Sequence, residues 1–209
     1  MIKDNFLKIK EEVNDQATII AVTKYHSNEA AQEAYDAGIR NFGENRIEGF
    51  NEKLNALPED KNMHFIGTLQ SRKVKEVIDD LYYLHSLERE SIAKRIEQYA
   101  NHDVKCFIQV NVSGEESKHG LKPEDVREFV QTVSQYKHVK VIGLMTMAPE
   151  TDDEEEIRNV FKSLRVLRDE LNKEFEDITE LSMGMSNDYK IALEEGATYI
   201  RLGSILMES

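Results

Sequence analysis

Lys24 directly follows Thr23 and the apolar run Ile19-Ile20-Ala21-Val22 in a chain of 209 residues. An ordinary lysine has a pKa near 10.4 and is almost wholly an ammonium at neutral pH. Partial burial at a strand end disfavours that charge and leaves an amine able to attack an aldehyde and form a Schiff base. The bland alternative is a lysine that snorkels at the surface. Far along the chain stand Met183-Gly184-Met185-Ser186-Asn187-Asp188 and Arg201-Leu202-Gly203-Ser204. Gly184 admits close backbone approach, and Ser186 is placed to cap the next helix with Asp188 nearby. The N–H groups at that helix start, with those of Gly203 and Ser204 and the serine hydroxyl, read as an anion site, although each glycine alone reads as turn chemistry. Arg201 only donates hydrogen bonds. It either meets an unprotonated pyridine nitrogen, which is a poor electron sink, or pairs with Glu194 or Glu195. A Schiff-base lysine on one side and a phosphate cradle on the other describe a site for pyridoxal 5'-phosphate, the vitamin B6 aldehyde.

These residues need a scaffold that gathers strand ends. Short β-type runs occupy 18–23, 39–43, 63–67, 82–86, 104–111, 140–146, 180–183 and 198–203. Several are nearly continuous apolar runs, as expected of parallel strands buried on both faces. Helical stripes lie between them: Ile92, Ile96 and Tyr99; Val126, Phe129, Val130 and Val133; Ile157, Val160, Phe161, Leu164, Leu167 and Leu171. Thr151-Asp152-Asp153-Glu154 reads as a capping box, and Pro123 suits a first helical turn. Eight strands alternating with helices predict an α/β fold, a single (β/α)8 TIM-type barrel over residues 1–209, with its site at the C-terminal ends of the strands. Only five residues follow Ser204, so no helix is expected after the eighth strand. An amphipathic N-terminal helix carrying Ile2, Phe6, Ile9 and Val13 is expected to cover the gap. The competing fold is an open doubly wound sheet, weakened because no G-x-G-x-x-G follows the first strand.

Composition excludes several classes. Lys plus Arg is 27 and Asp plus Glu is 40, a formal charge of −13, which argues against a nucleic-acid partner. One cysteine excludes an internal disulfide framework and a Cys-rich metal site. Cys106 reads as an inert core residue, and His85, His102 and His138 as structural or exposed, without metal-ligand spacing. His64 reads as strand packing before catalysis. No run approaches the roughly 18 apolar residues of a membrane span, and the N-terminus lacks a signal peptide's apolar core, so a cytoplasmic protein is expected.

The segments also resemble the pyridoxal phosphate homeostasis protein (YggS/PROSC) family. The matching stretches are Ala21-Val22-Thr23-Lys24, Asn41-Phe42-Gly43-Glu44-Asn45, His64-Phe65-Ile66-Gly67 with Leu69-Gln70-Ser71, and Gln109-Val110-Asn111-Val112-Ser113. Further on come Ser117-Lys118-His119-Gly120, Gly143-Leu144-Met145, Leu181-Ser182-Met183-Gly184-Met185-Ser186 with Asp188, and Ile200-Arg201-Leu202-Gly203. The resemblance implies a barrel similar to the alanine racemase N-terminal domain, with pyridoxal phosphate bound as a Schiff base on Lys24. It implies that Ser186, Gly203 and Ser204 hold the phosphate, that Arg201 meets the pyridine nitrogen, and that Asn45 and Met183 line the ring. This sequence departs from many relatives at Thr68, Arg72, Ser204 and the tail Leu206-Met207.

The expected function is cofactor binding in pyridoxal phosphate homeostasis without catalytic turnover, so no catalytic residue and no metal ligand is assigned. Expected partners are the cofactor and apo forms of enzymes that use it, with no membrane partner, and the chain is expected to be a monomer. The alternative is an amino-acid racemase or related enzyme, with Tyr25 or His26 as bases. A cofactor-free Schiff-base aldolase would leave the phosphate cradle and Arg201 without a task.

Overall fold

The computed structural model describes residues 1–116 and 119–208. The chain opens with α1 (Ile2–Val13), which buries Ile2, Phe6, Ile9 and Val13 as the spacing predicts. Strands and helices then alternate: β1 (Thr18–Val22), α2 (Asn28–Asp36), β2 (Asn41–Glu44), α3 (Ile47–Ala56), β3 (Asn62–Phe65) and β4 (Tyr83–Leu87), the last two joined by short 3₁₀ segments. They continue as α4 (Glu90–Tyr99), β5 (Val104–Gln109), α5 (Val126–Val133), β6 (Val139–Met145), α6 (Glu154–Asn172), β7 (Glu180–Ser182), α7 (Tyr189–Glu194), β8 (Tyr199–Leu202) and α8 (Ser204–Met207).

Every neighbouring pair is parallel, and β8 closes onto β1 through Ile20↔Arg201 and Ala21↔Leu202. The sheet is therefore a closed barrel, not an open doubly wound sheet. The strands coincide with the apolar runs because a strand covered by helices outside and side chains inside has no polar face to alternate with. Ile20, Ala21 and Val22 of β1, and Phe107 and Ile108 of β5, are all buried.

Two local expectations are corrected. One helical turn, α8, does follow β8: four residues suffice because the N–H groups of Leu206 and Met207 both reach Gly203 O, and both side chains bury. Helix α1 docks on this turn, with Asn5 Nδ2 donating to the carbonyls of Leu206 and Glu208 at 3.0 Å each. The cap of α6 is Asp153, not Thr151. Asp153 Oδ1 accepts from the N–H groups of Glu155 and Glu156, while Thr151 Oγ1 accepts from Asp153 N–H one turn earlier. Pro123 does open a turn, a 3₁₀ segment that leads into α5.

No helix among the described residues is long and apolar enough to cross a membrane. No group of three or more His, Cys, Asp or Glu among them is arranged to hold a metal ion. A cavity of about 530 Å³ opens at the N-terminal ends of the strands between Lys105, Val141, Glu180 and Tyr199, away from every residue of the expected site.

Candidate cofactor site

The β1–β8 register sets Thr23-Lys24 beside Gly203-Ser204 at the C-terminal mouth. Lys24 and Tyr25 are the central residues of a tight turn closed by His26 N–H to Thr23 O at 3.0 Å, with Tyr25 at φ +66°. A positive φ at the third position of such a turn usually calls for glycine, so a tyrosine there is strained. The turn directs both side chains outward. Lys24 is exposed, contrary to the partial burial expected of it, and Tyr25 is 83% exposed. Lys24 Nζ lies 5.8 Å from the centroid of the Tyr25 ring, and Arg46 Cζ lies 5.9 Å from it. The turn is anchored by Thr23 Oγ1, which donates to the buried carboxyl of Glu44. Burial pushes the Glu44 carboxyl above the usual range, opposed by the Thr23 bond and the charge of Lys53.

Across the β1–β8 seam, Ser186 does not cap α7 as expected. Its Oγ accepts from the N–H groups of Gly203 and Ile205 at 3.2 Å each, so it caps α8 instead. Asp188 Oδ1 takes the local role by accepting from Met185 N–H at 2.7 Å. The loop can double back because Gly184 has φ +105°, and a Cβ there would stand 2.7 Å from the Ala192 Cβ. Asn45 follows β2 and presses on Gly67, where a Cβ would fall 2.5 Å from the Asn45 Cβ. Met183 is fully buried, its N–H bonded to Tyr199 O. The expected residues other than Met183 thus gather at one mouth, where a primary amine, a hydroxyl-and-amide loop and a guanidinium suit an aldehyde that carries a phosphate and a ring nitrogen.

Arg201 is 3% exposed and points into the barrel. Its Nη1 donates to Ser182 Oγ and its Nη2 to Thr146 O at 3.1 Å. The pairing with Glu194 or Glu195 does not occur, because those carboxylates hold Arg158 and Arg165 on α6. Burial pulls the Arg201 guanidinium down to about 10, partly offset by the charge of Asp188. Asp188 is itself pushed up by burial, with the Met185 bond and Arg201 opposing.

The same hydrogen bonds continue deeper. Ser182 Oγ meets His85 Nδ1 at 2.8 Å, His85 Nε2 meets His64 Nδ1 at 2.9 Å, and His64 Nε2 meets Asn41 Oδ1 at 2.9 Å. β4 and β7 are not neighbours, so the His85–Ser182 contact crosses the barrel interior. Desolvation pushes His64 down to about 3 and His85 well below its ordinary value. The sequence reading gave Ser182 and His85 no part in the site; the only signal was two histidines inside otherwise apolar strands. Of the other residues weighed, His26 Nε2 lies 3.8 Å from Glu208 Oε2, and the exposed His119 has its Nδ1 3.3 Å from Glu88 Oε1. Ser117 and Lys118 of the family-like stretch lie outside the described residues.

Fold and site together define a barrel of the alanine racemase N-terminal-domain class, and the profile of that family, "Alanine racemase, N-terminal domain", matches residues 1–208. The chain is 41% identical to the pyridoxal phosphate homeostasis protein of Aquifex aeolicus over 91% of this chain and 86% of that one. It is 36% identical to the protein of that name from Schizosaccharomyces pombe, over 91% and 83%. The chain belongs to the pyridoxal phosphate homeostasis protein family. Among solved structures, PipY of Synechococcus elongatus with pyridoxal phosphate bound superposes with a TM-score of 0.91 at 33% identity, covering 99% of this chain and 100% of that one. Alanine racemase from Corynebacterium glutamicum shares the fold at a TM-score of 0.78 and 15% identity, over 98% of this chain and 59% of that one.

Proposed function

We propose that this protein binds pyridoxal 5'-phosphate at the C-terminal mouth of its barrel and serves pyridoxal phosphate homeostasis, holding the cofactor through Lys24 without catalytic turnover. The observation that carries this is the placement of Lys24 and the Ser186–Gly203–Ser204 loop at adjoining ends of β1 and β8, with the buried Arg201 on β8 behind them. PipY, similar over nearly the whole chain, has been solved with the cofactor bound. When bound, the cofactor supplies an electrophilic aldehyde conjugated to a pyridine ring.

Lys24 would hold the cofactor through its amine, the group on this face that can engage an aldehyde. Ser186, Gly203 and Ser204 would hold the phosphate through amide and hydroxyl hydrogens, the Gly203 amide turning to it from Ser186 Oγ. Arg201, a donor with no lone pair to offer, requires the ring nitrogen to accept and hence to remain unprotonated. Asn45 would line the ring, and Met183, fully buried, would support it from the core. Racemisation needs bases on both faces of a substrate carbon. Lys24, Tyr25 and His26 belong to one turn and approach from one side, which favours retention over turnover. The protein would act in the cytoplasm as a monomer and pass the cofactor to apo enzymes that need it.

The test is borohydride reduction of protein loaded with pyridoxal phosphate, followed by peptide mass mapping. The expected result is a visible absorption band and one pyridoxyl adduct on Lys24. A colourless protein in excess cofactor, or a primary adduct on another lysine, would overturn the reading. Sustained conversion of L-alanine to D-alanine would replace retention by racemisation.

A further inference from the structure

We propose that Ser182, His85 and His64 are positioning residues for Arg201: they form a one-way hydrogen-bond line across the barrel interior that locks the guanidinium in place and leaves its charge directed at the mouth. The proposal rests on the reading of Arg201 as the partner of the ring nitrogen.

The direction of the line follows from what each atom can do. Arg201 only donates, so Ser182 Oγ must accept from it. The remaining Ser182 proton then goes to His85 Nδ1, its other partner among the described hydrogen bonds. His85 therefore carries its proton on Nε2 and donates it to His64 Nδ1, and His64 donates from Nε2 to Asn41 Oδ1. The opposite polarity would have His85 Nδ1–H and Arg201 both donating to Ser182, whose own buried proton would be stranded. A stranded buried donor forfeits the hydrogen bond it made to water in the unfolded chain. A charged ring would set two donors face to face, so both rings are neutral.

The surroundings enforce this. His64 stacks on Tyr83 with ring centroids 4.3 Å apart, and His85 on Phe107 at 4.2 Å. Tyr199 closes on both from the side. The titratable or charged groups packed on the line are Arg201, across Ser182, with Asp188 acting on it through its charge, and the rings of Tyr83 and Tyr199. No carboxylate among the described residues bonds Arg201 directly, since its partners are a hydroxyl and the Thr146 carbonyl. A neutral line therefore fixes the cation without itself neutralising it, and a lone pair or anion at the mouth meets a charge that Asp188 opposes only at longer range.

The decisive experiment uses the protein without cofactor. Nitrogen-15 NMR of the histidine rings should show one bare and one protonated nitrogen in both His64 and His85, the protonated one being Nε2, down to about pH 5, where a free histidine is charged. The Arg201 guanidinium N–H signals should be separate and sharp in the native protein, and averaged in His85→Phe and Ser182→Ala. Ser182→Thr, which keeps the hydroxyl, should restore them. With pyridoxal phosphate added, the two disrupting variants should bind about tenfold more weakly. They should also move the pH at which the bound cofactor's visible absorption changes. A proton on Nδ1 of either ring, an imidazolium, or Arg201 signals unchanged in both variants would overturn the proposal. Failure of the native protein to bind the cofactor would instead sink the functional reading, while the cofactor-free spectra still decide the line.

Discussion

Single residues at the mouth divide into those that shape the loop and those that meet the ligand, and the two kinds predict different phenotypes. Gly184 shapes it: at φ +105°, with the Ala192 Cβ at 2.7 Å from any added Cβ, Gly184→Ala is strained in backbone and contact alike. Its expected cost is about 2–3 kcal/mol of stability, read by urea unfolding of the cofactor-free protein. Ser186 is proposed to hold the phosphate: its Oγ serves two N–H groups near the surface, which water can take over. Ser186→Ala should therefore lose under about 1 kcal/mol of stability but bind pyridoxal phosphate about tenfold more weakly, measured by fluorescence titration. Equal affinity in Ser186→Ala would remove the serine from the phosphate site. The placement of Lys24 and Ser186 beyond the C-terminal ends of β1 and β7, and of Arg201 within β8, could be read from the sequence because the apolar runs mark the strands. The burial of Lys24 was misjudged because its exposure depends on the Tyr25 turn, and positive φ at a tyrosine has no sequence mark. The partner of Ser186 lies 17 residues away on another loop, where helix-cap rules, which are local, do not reach.

Secondary elements explain why the mouth depends on the chain's beginning. Helix α8 starts at Ser204, at the loop whose amides Ser186 engages, and Asn5 of α1 ties down the carbonyls at its far end. Asn5→Ala should cost about 1 kcal/mol and also quicken loss of pyridoxal phosphate on ultrafiltration. Asp153→Ala removes the cap of α6, remote from the mouth, and should cost about the same in urea unfolding with no effect on cofactor retention. Equal retention in the two variants would show that α1 supports the fold alone. Elements were the most legible level of this protein. Parallel strands buried on both faces leave continuous apolar runs, and the stripes on α1, α5 and α6 bury as their spacing requires. The lapses are at ends, where one side chain decides: Asp153 rather than Thr151 caps α6, and a four-residue helix fits where none was expected.

At the scale of the whole molecule, the barrel encloses two neutral imidazoles, and folding stability must therefore vary with pH. In the unfolded chain each ring binds a proton near pH 6.5. In the native state burial pushes His64 down to about 3 and His85 well below its ordinary value. Below about pH 6.5 the unfolded chain thus holds more protons than the native one. The histidine contribution is whole above that pH and is lost as pH falls, by about 1.4 kcal/mol per pH unit for each ring. Glu44 and Asp188 act in the opposite sense. Burial raises their native pKa values, so the stability they add is present below the unfolded carboxylate range and lost as pH rises through the raised values. They offset part of the histidine loss below about pH 5, which makes the interval from about pH 6.5 to pH 5 the informative one. Native protein should hold a constant urea midpoint between about pH 7 and 8 and lose stability steeply through that interval. His85→Phe keeps a ring against Phe107 and removes one titrating group. It should start less stable at pH 7.5, because Ser182 and His64 lose a partner, yet decline less steeply by one ring's share of the slope. An unchanged slope in His85→Phe would mean that His85 carries its proton in the native state. The one-way line from Arg201 to Asn41 could not then exist, because a doubly protonated ring has no lone pair with which to accept from Ser182.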